Sequence, residues 1–426
     1  MTLKERSTTE PSAASRSRRE NVSSSASSSA SDFARPPPQS SDSFSDTESV
    51  GGLEINIKGR NIRFAPMNTP LHRRWQTLAV LWHTCTIPCL TSLFCYMLAI
   101  PFMWPFIGIY LIYFLCDQTP FNGNAARRYS PRVRGLPVWR SFVEYFPIRI
   151  HKTVDLQPTF TQKWVEDEPE TNWFKRALRG AVKKPFEKRV KTGPRYMFCY
   201  HPHGIISMGA FGAMATEGAG WSKAFPGIPV SLLTLINQFK LPLLRDYIMA
   251  LGCSSVGKRN MTRIIRDHNQ SVCIVVGGAQ ESLLALPHSN DLVLRKRKGF
   301  IKLALDLGDI SLVPIYAFGE NEVYEVNKAT RGSWIWKFQK WTKKNFGFTV
   351  PLFHARGVFN YSMGLMPFRK QIDLVYGKPI EIPFRPSPTR KEVEFYHDLY
   401  VKGLVDLFDQ NKAKYGDPNA VLSLVE

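Results

Sequence analysis

Two histidines bracket a proline at the end of a short aromatic run, Tyr196-Met197-Phe198-Cys199-Tyr200-His201-Pro202-His203-Gly204. A neutral imidazole takes a proton near neutral pH and gives it back later, which is what general-base catalysis requires. The run before the histidines is rich in β-forming residues, is uncharged after Arg195, and follows the breaker Gly193-Pro194. Pro202 holds His201 in extended geometry and offers no N–H to a sheet, so a strand is expected to stop here. Gly204 lets the backbone turn sharply or approach a ligand closely. Strand ends are where open α/β sheets keep their chemistry. Only nine His occur in the chain, so two around one proline are read as functional rather than as an incidental turn.

A base needs a partner that fixes its tautomer and stabilises its charged form. Val272 to Val276 reads as another strand, and Gly277-Gly278-Ala279-Gln280-Glu281 follows it directly. Glu281 is the expected carboxylate partner, with His203 the preferred base and His201 the alternative. Gly204, or the pair Gly277 and Gly278, can aim backbone N–H groups at a tetrahedral oxyanion. A dense cationic run, Leu294-Arg295-Lys296-Arg297-Lys298-Gly299-Phe300-Ile301-Lys302, comes next. Arg295, Arg297, Lys298 and Lys302 suit the phosphates of a carrier such as coenzyme A, the alternative being a solvated face. Other chemistries fit poorly. No H-E-x-x-H zinc motif, P-loop or dinucleotide fingerprint is present, and Gly252-Cys253-Ser254-Ser255-Val256-Gly257 lacks the G-x-S-x-G spacing. No metal site is expected.

Strands are predicted at Tyr196–Tyr200, Ile228–Ile236, Val272–Val276, Ser311–Tyr316 and Ile372–Tyr376, with Pro314 marking a strand end or an edge. Helices are predicted over 241–251, 260–268, up to about Leu307, and 388–414, the last with apolar positions Val393, Tyr396, Tyr400, Leu404, Leu407 and Phe408. Their alternation points to an α/β core.

From Thr77 to Cys116 forty residues pass without one Lys, Arg, Asp or Glu. A single helix of that length would span roughly 60 Å, twice the ~30 Å of a bilayer core. Two passes or a re-entrant hairpin, turning near Pro101 to Pro105, resolve the mismatch. Arg73 and Arg74 precede the segment and Arg127, Arg128, Arg132 and Arg134 follow it, which puts both ends in the cytosol. The expected organisation is therefore a disordered Ser-rich tail over 1–52, a basic pre-membrane segment over 53–76, a hairpin over 77–116, a basic aromatic interface segment over 117–194, and a cytosol-facing catalytic domain over 195–426. The tail holds sixteen Ser in its first fifty residues, with six Lys/Arg against seven Asp/Glu. The formal net charge of +21 thus belongs to the rest of the chain, and suits anionic lipid or a phosphorylated substrate. No nucleic-acid motif appears. Four of the seven Cys lie in the apolar stretch, and all are read as reduced thiols.

The ordered motifs resemble one family, the type-2 diacylglycerol acyltransferases, which include monoacylglycerol and wax-ester synthases. Tyr200-His201-Pro202-His203-Gly204 looks like its HPHG signature. Tyr145-Phe146-Pro147 matches its YFP block, Gly277 to Leu283 its GGAxE block, and Arg297-Lys298-Gly299-Phe300-Ile301-Lys302 its RxGFxK block. Val313 to Asn321 and Tyr376 to Ile380 are also family-like. The resemblance covers about residues 62–426. It implies a glycerolipid-acyltransferase-like layered α/β core behind an N-terminal membrane helical hairpin. It also implies acyl transfer from acyl-CoA to diacylglycerol at the endoplasmic reticulum membrane and on lipid droplets. Acyl-CoA is then a co-substrate, and no cofactor is expected. The related HxxxxD motif has no counterpart, since no His here has an Asp five residues on; Glu281 is expected in that Asp's place. A monoacylglycerol, wax-alcohol or sterol acceptor is the alternative within the class, and a non-enzymatic lipid-droplet hairpin protein the alternative outside it. Homo-oligomerisation is left open.

Overall fold

The computed structural model describes residues 54–57, 60–66, 68–165, 186–327, 329–346, 349 and 351–425. The Ser-rich tail lies outside them, as do Trp173, Arg176, Arg179, Lys183 and Lys184 of the basic aromatic segment.

The expected strands form, and they share one sheet. Its members are β1 (Ile148–Lys152), β2 (Arg195–His201), β3 (Val230–Thr234), β4 (Ser254–Ser255), β5 (Ser271–Val275), β6 (Ile310–Phe318), β7 (Ile372–Tyr376) and β8 (Ile380–Ile382). The order is β1-β7-β6-β2-β5-β3-β4, with β8 beside β6. β2 runs parallel to both β5 and β6, while β6 meets β7 and β8 antiparallel. The chain leaves β2 on one side for β3, β4 and β5, then crosses to the other for β6. β2 is therefore where the strand order reverses, and the carboxyl end of the strands at such a point is where open α/β sheets bind ligands.

The principal strands are apolar throughout because both faces of the sheet are covered. Tyr196, Phe198 and Tyr200 of β2 join one apolar cluster with Val313, Ile315 and Ala317 of β6. Met197 and Cys199 join the other with Ile310, Leu312 and Tyr316. The first cluster includes Ala79 and Val80 from α1 (Leu71–Leu98) and Trp139 and Phe142 from α3 (Pro137–Tyr145). The second includes residues of α5 (Lys258–His268), α6 (Gly299–Leu307) and α8 (Arg390–Tyr415). Thr389 and Glu392 close a reciprocal capping box at the start of α8.

Two expectations are altered. Pro314 neither ends a strand nor lies at an edge: β6 runs through it to Phe318, in the middle of the sheet. It is tolerated because it falls where the neighbour changes, β8 pairing with Ile310–Leu312 and β7 with Ile315–Phe318. The sheet also begins before residue 195, since β1 pairs with β7. On α8, Tyr396 is half-buried against the second cluster as expected, and His397 beside it is buried as well.

The apolar stretch forms α1, of 28 residues, and α2 (Trp104–Cys116), of 13, with a break and a short 3-10 turn at Pro101–Met103 between them. Pro88 lies inside α1 without ending it. α1 is long and apolar enough to cross a membrane, and among the described residues it alone meets that test. Its Trp75, Leu78, Leu93 and Tyr96 are exposed, as are Phe106, Ile109, Ile112 and Leu115 of α2.

Candidate active site

Three loops meet at the carboxyl edge of the central parallel strands. His201-Pro202-His203-Gly204 leaves β2, Gly277 to Leu283 leaves β5 as a 3-10 turn, and Gly319 to Val323 leaves β6 as another. The His201–Pro202 peptide is cis.

Strand alternation separates the two histidines. His201 shares the face of Met197 and Cys199, so its ring points toward α8 and is fully buried. Its Nε2 lies 2.9 Å from the Tyr400 hydroxyl, and its Nδ1 has no hydrogen-bond partner. Burial pushes its pKa down to about 3. His203, past the end of the strand, is half-buried at the rim. Its Nδ1 lies 3.0 Å from the Gly204 carbonyl oxygen. A carbonyl only accepts, so Nδ1 carries the proton and Nε2 holds the free lone pair. Burial and the nearby Arg297 guanidinium lower the His203 pKa, against an opposing contribution from the Gly204 carbonyl.

Glu281 is buried at this junction, but it does not touch an imidazole. Its Oε1 accepts the His203 backbone N–H at 2.6 Å, and its Oε2 accepts the Val293 N–H at 2.7 Å. The expected proximity of His203 and Glu281 is present; the expected contact to the ring is made instead to the main chain. Burial raises the Glu281 carboxyl to about 7, opposed by the two backbone bonds and by Arg297. A side chain on Gly277, at φ +105°, would collide with this carboxylate. Gly278 and Gly204 also have positive φ.

A second buried carboxylate was not singled out from the sequence. Glu320, just past β6, accepts the Tyr200 hydroxyl at 2.6 Å and the N–H groups of Met208 and Gly209 at 2.7 and 2.9 Å. Burial raises it to about 7 as well. A Cβ on Gly204 would come within 2.9 Å of Glu320 Cγ. The HPHG loop is thus clamped from the β5 side by Glu281 and from the β6 side by Glu320. The only advance signal for Glu320 was its place in the family-like block after a predicted strand.

The four cationic candidates occupy different settings. Arg297 donates to the Gly277 carbonyl at 2.8 Å, so it is part of the loop cluster. Lys298 pairs with Glu394 of α8 at 3.3 Å. Arg295 and Lys302 are exposed. Gly299 and Lys302 open α6, whose N-terminal dipole adds to the positive field. The YFP block precedes β1, whose start lies beside the start of β7 and so at the same edge of the sheet as the carboxyl end of β6. Tyr145 and Phe146 are fully buried, the Tyr145 hydroxyl donates to the Pro367 carbonyl, and Pro147 leads into β1. Ser254 and Ser255 are buried in β4, where Ser255 donates to the Pro120 carbonyl.

Comparison with known proteins gives this arrangement a family. The chain matches the family model described as diacylglycerol acyltransferase over residues 96–165 and 159–425. It is 48% identical over 396 residues to diacylglycerol O-acyltransferase 1 of Eremothecium gossypii, a match spanning 90% of this chain and 84% of that protein. It is 45% identical over 386 residues to diacylglycerol O-acyltransferase 1 of Saccharomyces cerevisiae, spanning 88% and 92%. It is 36% identical over 364 residues to 2-acylglycerol O-acyltransferase 1 of Bos taurus, spanning 84% and 97%. No solved structure matches. The chain belongs to the diacylglycerol acyltransferase family.

Proposed function

We propose that the chain is an acyl-CoA:diacylglycerol O-acyltransferase that makes triacylglycerol with His203 as its general base. The observation that carries the assignment of the base is the His203 ring, held by Gly204 with Nε2 unpartnered at the rim of the central strands. Nε2 takes the proton of the acceptor hydroxyl as that oxygen attacks the thioester carbonyl. The carbonyl π electrons move to oxygen, and backbone N–H groups of the Gly204 and Gly277-Gly278 turns stabilise the oxyanion. Collapse expels the coenzyme A thiolate, which recovers the proton from the imidazolium. Glu281 and Glu320 position the loop through its main chain rather than touching the reacting atoms. Arg295, Arg297, Lys298 and Lys302, with the start of α6, attract the coenzyme A phosphates.

α1 and α2 form the membrane hairpin of this reading. At about 1.5 Å per residue α1 is roughly 42 Å long and α2 roughly 20 Å; α2 is too short to cross the ~30 Å core, so the pair dips into the membrane and returns to the same side as a re-entrant hairpin. The layered α/β core faces the cytosol, with both termini on that side, at the endoplasmic reticulum membrane and on lipid droplets. Diacylglycerol then arrives from the bilayer and acyl-CoA from water.

The test is an assay of membranes carrying the chain, with labelled acyl-CoA and a panel of diacylglycerol, monoacylglycerol, wax alcohol and sterol, beside His203→Ala. Triacylglycerol as the main product, lost in the variant at equal protein level, is expected. A monoacylglycerol acceptor is the second reading, favoured by the similarity to the bovine 2-acylglycerol enzyme. An active, normally expressed His203→Ala protein would overturn the base assignment.

A further inference from the structure

Burial on α7 (Trp334–Phe346) runs against its composition. Trp334, Phe338 and Trp341 recur at i, i+4 and i+7, which lines them along one stripe of the helix. They are 76%, 45% and 53% exposed, whereas the polar Gln339 and Thr342 are buried. A helix resting on a protein and facing water does the opposite. The flanks are cationic: Arg331, Lys337, Lys340, Lys343 and Lys344 fall between residues 329 and 346, with no Asp or Glu among them. Large aromatics edged by lysine, without an acid, match the boundary between lipid headgroups and acyl chains.

A second observation comes from the turn that follows. Phe359 is 78% and Leu365 68% exposed, and Met363 is exposed beside them in sequence. This turn is tied to the segment that enters α1. The Ala65 N–H donates to the Phe359 carbonyl and the Tyr361 N–H to the Arg63 carbonyl, both at 2.8 Å, and Phe64 bridges Asn360. Leu71 and Trp75, in the first turns of α1, are exposed as well. The apolar turn therefore adjoins the entrance of the helix that is long enough to cross a bilayer.

We propose that α7 and the 357–365 turn form a second membrane-contacting surface, lying in the headgroup region of an anionic bilayer leaflet. This surface does not cross the membrane. Thirteen residues make about 20 Å of helix, and the stripe is apolar on one side only. The three aromatics enter to the depth of the acyl boundary, and the lysine ammonium groups stay with lipid phosphates. Each lysine near such a surface is worth roughly a fivefold preference for it. Both pieces belong to the excursion between β6 and β7, far in sequence from α1 and α2. The core is thus held to the bilayer through its own β6–β7 excursion as well as through α1. The proposal concerns where a segment lies and is independent of the acyl-transfer reading.

The test uses the full chain in vesicles, either of phosphatidylcholine alone or with about one-third phosphatidylserine. A benzophenone side chain placed at position 338 reports its neighbours on illumination. A phospholipid adduct is expected, several-fold more abundant in the anionic vesicles, and reduced to the neutral-vesicle level when Lys337, Lys340, Lys343 and Lys344 are all changed to Gln. With the unaltered chain, trypsin cleavage after those lysines should be roughly tenfold slower in anionic than in neutral vesicles. An adduct to protein instead of lipid, or equal adduct and cleavage in both vesicles, would overturn the proposal. Acyl transfer is not read in either arm, so loss of activity has no bearing on the outcome.

Discussion

An imidazole works as a base only if its lone pair reaches the substrate, and the two histidines of the motif differ there. His201 is enclosed and bonded to Tyr400, whereas His203 is only half-buried and uses Nδ1, not Nε2, for its ring hydrogen bond. His203→Ala should therefore lower kcat by about 10²–10⁴-fold with normal protein level. His201→Ala should chiefly destabilise, by about 1–3 kcal/mol, because it leaves the Tyr400 hydroxyl unpaired in the core. A melting curve beside a single-turnover assay separates the two, and the reverse pattern would exchange the roles. Since the His203 pKa is lowered, its neutral base form persists below the usual histidine range. The acid limb assigned to it in kcat/KM should fall below about pH 6.5 and vanish in His203→Ala. That the motif and Glu281 lie in loops following strands was legible, because an apolar run ending in a breaker and a glycine announces a loop. Which histidine faces out was not legible from Gly204 alone; it follows from the alternation of β2, which needs the position of α8.

At the scale of elements, three parallel strands end together and their loops brace one another through buried carboxylates. Gly204, at φ +58°, has Glu320 Cγ at 2.9 Å and Oε1 at 3.0 Å from where a Cβ would stand. Gly204→Ala should push aside the carboxylate that holds Met208 and Gly209, lowering activity about tenfold or more through loop displacement. Gly220→Ala is the control, with φ +75° but nothing within 4 Å of its Cβ; only the left-handed strain of about 1–2 kcal/mol should appear. The carboxylates also leave a mark on stability. Glu320 rises from 4.5 to about 7 on folding, so the folded state holds the proton more tightly. Its contribution is full below about pH 4.5 and is lost as pH rises through about 7. Wild-type melting temperature should drop more between pH 5 and 8 than that of Glu320→Gln; equal drops would remove Glu320 from the account. The principal strands and helices were readable from their apolar runs and breakers. β1 was not, because Ile148-Arg149-Ile150-His151-Lys152 reads as a basic surface until β7 is known to lie beside it. Pro314 misled for a related reason: a proline fits mid-strand only where the neighbour changes, and pairing is not local information.

For the whole molecule, the proposed function requires that the apolar helices and the catalytic loops be rigidly joined, because in that reading an acceptor from the bilayer has to meet Nε2 at bonding distance. The joints are polar groups at the ends of the apolar helices. Arg369 holds the start of α1, donating to Gln76 at 2.6 Å and lying 4.1 Å from the Tyr145 ring centroid. Tyr110 and Tyr113 of α2 donate to Asp246 of α4 (Leu244–Ala250) at 2.8 and 2.9 Å. Arg245 beside it is buried, donates to the carbonyls of Phe114 and Asp117, and lies 3.6 Å from the Phe114 ring centroid. These carbonyls belong to the last turn of α2 and the residue after it, where a cation also meets the helix dipole favourably. The uncharged run from Thr77 to Cys116 marked the apolar helices, but nothing in it showed that Arg245, far along the chain, would cap the second of them. Arg245→Ala should leave those carbonyls unpaired and cost about 2–3 kcal/mol. Because the loss falls at the joint, thermal unfolding in micelles should split, α2 losing protease protection before the β-sheet core melts. Arg245→Lys should restore part of the protection, since one ammonium reaches one carbonyl but cannot fork to several. A single transition unchanged in Arg245→Ala would mean that α2 is held by lipid alone, and that hairpin and core are separate bodies.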